Sequence, residues 1–144
     1  MTAGILLLLC LGGVGVVVAL YDGATKIDRS APDTVADSFL IAYLVNRDDK
    51  QAALFTCDQP DLTEVAALRA EIVDREKTRN VSVSVSWGAL LRAPAGAGQE
   101  DVTTKLTISG SSDGRTLSSR DEEWRLRVVD DDGSWRVCEA TKVT

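Results

Sequence analysis

The chain has 144 residues, with 16 Lys and Arg against 22 Asp and Glu, for a net charge of −6. This balance argues against nucleic acid as a partner, because phosphate binding needs clustered basic side chains that displace counterions. It also argues against docking through a basic patch on anionic lipid. Histidine is absent, so the commonest general base and the commonest imidazole metal ligand are missing.

Gly4 to Tyr21 read GILLLLCLGGVGVVVALY, without one charged side chain; every charged residue follows it. A span needs ~17–25 mostly apolar residues, so residues 1–21 are expected to form a transmembrane helix, with 22–31 as a tether and 32–144 as one water-exposed domain. A cleaved signal peptide is the poorer match, because no Lys or Arg precedes the apolar core and Val17-Val18-Ala19 is a weak cleavage site. Leu9 before Cys10 also departs from a lipoprotein box. Gly12, Gly13 and Gly15 form a small-residue face that suits close packing with another transmembrane helix, or reflect only the frequency of glycine in spans. The lack of a basic excess after the stretch places the C-terminal domain on the extracytoplasmic (periplasmic) side of the cell membrane.

Beyond the tether, Ser30 and Asp33 with Pro32 form an N-cap pattern. Val35, Ala36, Phe39, Leu40, Tyr43 and Leu44 then follow at helical spacing. Asp48 and Gln51 open a short second helix that runs through Phe55 to Cys57. Asp61 and Glu64 cap a longer third helix whose buried face is Leu62, Val65, Leu68, Ile72 and Val73.

After Asn80 the period falls to two. Val81, Val83, Val85 and Trp87 alternate with Ser82, Ser84 and Ser86 as a strand. Ala93 to Gln99 supply a turn, and Val102 to Ser109 a second strand. Gly110 to Arg115 turn the chain again. The third strand carries Trp124, Leu126 and Val128 on one face, and Asp130 to Gly133 signal a hairpin to the last strand. Helices followed by a four-stranded antiparallel meander make an α+β domain, with the sheet curled around the long helix.

Three cysteines are present. Cys10 lies in the apolar stretch, which leaves Cys57 and Cys138 as a pair. In a domain outside the cytoplasm such a pair reads as a disulfide.

Phe39-Leu40-Ile41-Ala42-Tyr43, Arg47-Asp48, Thr56-Cys57, Arg75-Glu76 and the final Asp132-Gly133-Ser134-Trp135-Arg136-Val137-Cys138 hairpin together carry a likeness over nearly the whole chain. It resembles the NTF2-like (cystatin-like) superfamily of cone-shaped α+β domains, in the single-span form common in actinobacterial cell envelopes and similar to Mce-associated membrane proteins. The resemblance implies a non-catalytic accessory subunit of an integral membrane complex of the cell envelope, of the Mce lipid-transport type or another assembly. Two alternatives remain: an accessory subunit of a respiratory supercomplex, or a carrier or sensor holding a small apolar ligand in the cone. Enzymes of the superfamily use a Tyr/Asp/Asp set or a His/Asp pair. Neither set is placed in this sequence, and no cofactor or metal is expected.

Three acidic clusters, Asp48-Asp49, Asp121-Glu122-Glu123 and Asp130-Asp131-Asp132, lack the spacing that wraps a calcium ion. Tyr43 and Asp37 face either the cone interior or, respectively, the core and solvent. Ser82, Ser84 and Ser86 have no base to activate them. Trp87, Trp124 and Trp135 either build the core, line a pocket, or, if one is exposed, anchor a partner.

Overall fold

The computed structural model describes residues 27–143. The apolar stretch with Cys10, Gly12, Gly13 and Gly15 lies outside the described residues. Among the described residues no helix is long and apolar enough to cross a membrane. Three helices precede most of a curved sheet: α1 (Pro32–Leu40), α2 (Asp49–Ala53) and α3 (Thr63–Arg79). The strands are β1 (Thr56–Asp61), β2 (Ser82–Trp87), β3 (Leu91–Gly96), β4 (Gln99–Ser112), β5 (Arg115–Asp131) and β6 (Ser134–Lys142).

The sheet has six strands, not the expected four, in the order β1-β6-β5-β4-β2, with β3 also pairing β4. Two segments account for the difference. Thr56–Asp61 is polar and contains Pro60, so it carries no strand pattern, yet it lies parallel to β6. The Val137 amide donates to the Phe55 carbonyl at 2.8 Å, and a Cys57–Cys138 disulfide joins the two strands. Ala93 to Gly96, expected as a turn, continues β3 along the first half of β4. Pro94 is tolerated there because β3 is an edge strand and its missing N–H interrupts no ladder. The turn itself is shorter and follows Gly96.

β4 and β5 form a hairpin longer than the expected strands. Its polar tip, Ser109 to Ser119, stays paired although it has no apolar alternation. Asp113-Gly114 and Asp132-Gly133 close the two long hairpins, with positive φ at both residues of each turn. That geometry suits a type I′ turn, which matches the twist of the flanking strands.

Ala31 is the N-cap of α1, with Pro32 in the first turn and no side-chain cap. The expected cap residue Ser30 turns the other way, and its hydroxyl donates to Asp28 at 2.6 Å. Arg29 is held on both sides: its Nε donates to the Leu54 carbonyl at 2.6 Å and its carbonyl accepts from the Trp135 amide at 2.9 Å. Asp48 caps α2 as the sequence suggests, accepting from the Gln51 amide. Asp61 accepts from the Thr63 amide, whereas Glu64 does not close a capping box; it accepts from the Lys142 amide at 2.6 Å. α3 ends at Asn80 in the left-handed conformation, a frequent helix stop.

α1 lies across β4, β5 and β6, and α3 packs on β6 and β2. The apolar stripe of α1 is buried, as are Val65, Leu68 and Ile72 of α3, while Leu62 and Val73 are only half-buried. These meet Val102, Leu106, Ile108, Leu126, Val128 and Val137 from the concave side of the sheet. At its C-terminal end α1 widens into a π turn, Ile41–Val45, and Arg47 takes a positive φ of 53°. Arg47 then reaches the Glu76 carboxylate on α3, and the same carboxylate accepts the Val83 amide at 3.2 Å. One side chain thereby ties the first helix region, the long helix and the β2 edge.

The disulfide closes a loop across a sequence separation of 81 residues. Replacing Cys57 and Cys138 by Ser should lower unfolding stability by about 2–5 kcal/mol, read by urea titration. The Arg47 hydrogen bond, partly opposed by burial, holds the Glu76 carboxyl below its ordinary value of 4.5. A lowered folded pKa contributes stability above the unfolded value that is lost as pH falls through the folded one. Unfolding free energy should therefore decline below about pH 4.5, and Glu76→Gln should flatten that decline while costing about 1–2 kcal/mol at pH 7.

Candidate functional site

Beneath α1 the cone interior is occupied by side chains. Phe39 and Tyr43 stack at 5.3 Å between ring centroids, and Leu106, Leu126 and Val128 are fully buried opposite them. Tyr43 belongs to this core. Arg69 of α3 lies over its ring at 4.1 Å and is fixed by Asp49 at 2.7 Å. Burial pushes the Tyr43 phenol above 10, with Arg69 opposing that rise and Asp49 adding to it, so the hydroxyl stays protonated near neutrality. Asp37 neither lines the cone nor stands free in solvent: it accepts the Trp87 indole N–H at 2.8 Å and pins β2 to α1.

The three tryptophans do not share a pocket. Trp87 is half-buried at the β2 edge, Trp135 is half-buried beside Arg29, and Trp124 is 2 % exposed beneath α3. Trp124 lines a groove. This groove, of about 490 Å³, lies between α3 and the end of the sheet. Glu64, Ala67, Leu68 and Glu71 line one wall and Glu122, Trp124, Lys142 and Val143 the other. The helical repeat brings positions 64, 67, 68 and 71 to one face of α3, and the strand repeat brings 122 and 124 to the concave face of β5.

Glu122 is 7 % exposed and lies at the centre of the groove's charges. Its Oε1 accepts the Trp124 indole N–H at 3.0 Å, and its Oε2 meets Arg120 Nε at 2.9 Å and Lys142 Nζ at 3.4 Å. Arg120 also holds Glu71 across the groove at 2.7 Å. That hydrogen bond, partly opposed by burial, keeps the Glu71 carboxyl below its ordinary value of 4.5. A general acid–base group working at neutral pH needs the opposite shift. With an apolar floor and paired charges, the groove suits an amphipathic side chain or small molecule better than proton transfer.

A second pocket, of about 370 Å³, lies among Tyr43, α2, β1 and Arg136, with Cys57 in its wall. The acidic clusters are dispersed by the fold. Asp48 caps α2 and Asp49 pairs Arg69; Asp130 accepts the Gly133 amide at 2.8 Å. Asp121 accepts the Thr107 hydroxyl on the outer face while Glu122 points inward. Among the described residues no three His, Cys, Asp or Glu side chains could hold a metal.

The sequence reading missed the Arg120–Glu122–Lys142 set by treating residues 121–123 as one acidic cluster. The signal was the alternation of Glu122, Trp124, Leu126 and Val128, which extends one position before the first apolar residue.

Solved structures share this architecture. An uncharacterized protein with a cystatin-like fold from Caulobacter vibrioides matches with a TM-score of 0.51 at 15% identity, over 76% of this chain and 85% of its own. Aln2 from a Streptomyces species matches with a TM-score of 0.53 at 15% identity, over 75% and 83%. The fold is therefore the NTF2-like (cystatin-like) α+β fold, which hosts enzymes and non-enzymes alike. No protein-family model matches the chain, and no curated protein matches it.

Glu122→Ala would leave the Trp124 indole N–H without its acceptor and Arg120 with only Glu71. We expect a loss of about 2–3 kcal/mol by denaturant unfolding, with a shifted Trp124 indole proton resonance. Glu122→Gln, which keeps an acceptor for the indole, should lose less.

Proposed function

We propose that this chain is a non-catalytic accessory subunit of a cell-envelope membrane complex. In this reading the apolar stretch at Gly4–Tyr21 holds it in the bilayer, and its NTF2-like domain docks to the complex on the extracytoplasmic side. The observation that carries the proposal is the filled cone. Phe39, Tyr43, Leu126 and Val128 fill the space beneath α1, and the carboxylates at the groove are held by Arg120 and Lys142. Function then falls to the outside of the domain.

Gentle detergent extraction of the full chain from its own membranes, followed by mass spectrometry, tests this directly. A stoichiometric membrane complex is expected, lost when residues 32–144 are deleted. A complex that persists without the domain, or a chain that elutes alone, would overturn the proposal.

The groove favours one second reading, a carrier or sensor. Its volume of about 490 Å³ exceeds the ~300 Å³ lower bound of small-molecule sites, and its floor includes Leu68 and Trp124. Organic extraction of the purified chain would then release a defined amphipathic molecule in stoichiometric amount.

A further inference from the structure

We propose that the outward side of the helical layer, framed by Ile27, Ile41, Val45 and Leu54, rests on the surface of the bilayer that holds residues 4–21. The inference rests on the part of the proposed function that puts this stretch in the membrane, and adds how the domain lies on it.

One stripe of the first helix region is set aside by its residues. α1 and its π turn bury Val35, Ala36, Phe39, Leu40, Tyr43 and Leu44. The helical repeat sends Thr34, Ser38, Ile41 and Val45 the opposite way, and none of these four is ionisable.

α2 runs back alongside this stripe. At its start the Asp48 amide donates to the Ala42 carbonyl at 2.9 Å. At its end the Leu54 carbonyl accepts from Arg29, just ahead of α1. Leu54 and Ile27 therefore lie towards the N-terminal end of the stripe, and Ile41 and Val45 at the other. All four stand exposed, Val45 most at 51 %.

The carboxylates that border the stripe are turned aside. Asp33 faces Arg92 of β3 at 3.9 Å, Asp37 accepts the Trp87 indole N–H, Asp48 caps α2 and Asp49 pairs with Arg69. The charges left at the rim, Asp28 and Lys50 among them, are of both signs. Attachment is thus apolar, in keeping with the acidic balance of the chain.

The connection to the apolar stretch selects lipid as the occupant. Five residues, 22–26, separate Tyr21 from Ile27, and six links span at most about 20 Å. Ile27 is leashed to the bilayer surface, and a tethered contact forms at high effective concentration. Four aliphatic side chains, too few to hold a free domain on lipid, suffice for a tethered one. α1 separates this side from the concave side of the sheet, so the placement turns Glu123 and Arg125 on the outer face away from lipid and leaves them to a partner.

The full chain in phosphatidylcholine nanodiscs, with a nitroxide on some of the lipid headgroups, tests the proposal. Co-elution with the discs checks the span by itself, and paramagnetic broadening of backbone amides reads proximity to lipid. Broadening should extend from Leu54 to Asn46 and spare Glu123 and Arg125. The variant I41E/V45E should still co-elute and keep the wild-type thermal midpoint, but lose the contrast between the two faces. The apolar exchange I41L/V45L should retain it. Co-elution without that contrast in wild type, or a folded I41E/V45E that keeps it, would overturn the placement while the span stands. A chain that does not co-elute would overturn both.

Discussion

The two-residue alternation along β5 is the constraint on which the rest of the molecule depends. β5 lies between β4 and β6 along its apolar stretch, so its register fixes both neighbours. Its inward residues run Glu122, Trp124, Leu126, Val128, and its outward ones Asp121, Glu123, Arg125, Arg127. A slip of one residue would exchange the two sets. It would put arginines beneath α1 and leave Trp124 in water, so burial and charge enforce the same register. One strand thereby supplies core residues, Glu122 and Trp124 of the groove, and the charge pattern of the outer face.

The helices complete the cone by filling it. Phe39 and Tyr43 stack into the space that the curved sheet encloses. The polar ties around them hold the enclosure shut: Asp37 to Trp87, Arg69 to Tyr43 and Asp49, and Arg47 to Glu76 and the β2 edge. Arg47 reaches Glu76 from a backbone at positive φ. A non-glycine residue held there carries local strain, and in this chain it stands immediately after a π turn. A filled cone bounded by paired charges shifts attention from interior chemistry to the surfaces the domain presents.

The elements that bury a periodic apolar face were legible in the sequence. The stripe of α1, the buried residues of α3, and the alternation of β2, β4 and β5 all followed from spacing. The elements held by something other than burial were not. β1 is polar, contains Pro60 and is defined by its cross-link and hydrogen bonds to β6. β3 is an edge strand whose Ala-Pro-Ala-Gly composition resembles a turn. The polar tip of the β4–β5 hairpin pairs Ser with Ser beyond the core. The groove was half legible: Trp124 stood out, but its partners Arg120, Glu122 and Lys142 meet only once the strands are aligned. The same is true of the outer face. In the chain, Asp121-Glu122-Glu123 is a block of acid, and only the pleat separates the buried Glu122 from its exposed neighbours.

This domain is proposed to work from its outer surface rather than through the groove between α3 and the sheet. Hydroxyl-radical footprinting of the full chain, in its own membranes and after purification, tests that claim most directly. Protection in membranes is expected at exposed aliphatic side chains such as Val45, Leu91 and Leu117, with labelling of the groove residues Leu68, Trp124 and Val143 unchanged. Protection confined to the groove, with the outer surface labelled equally in both states, would contradict it.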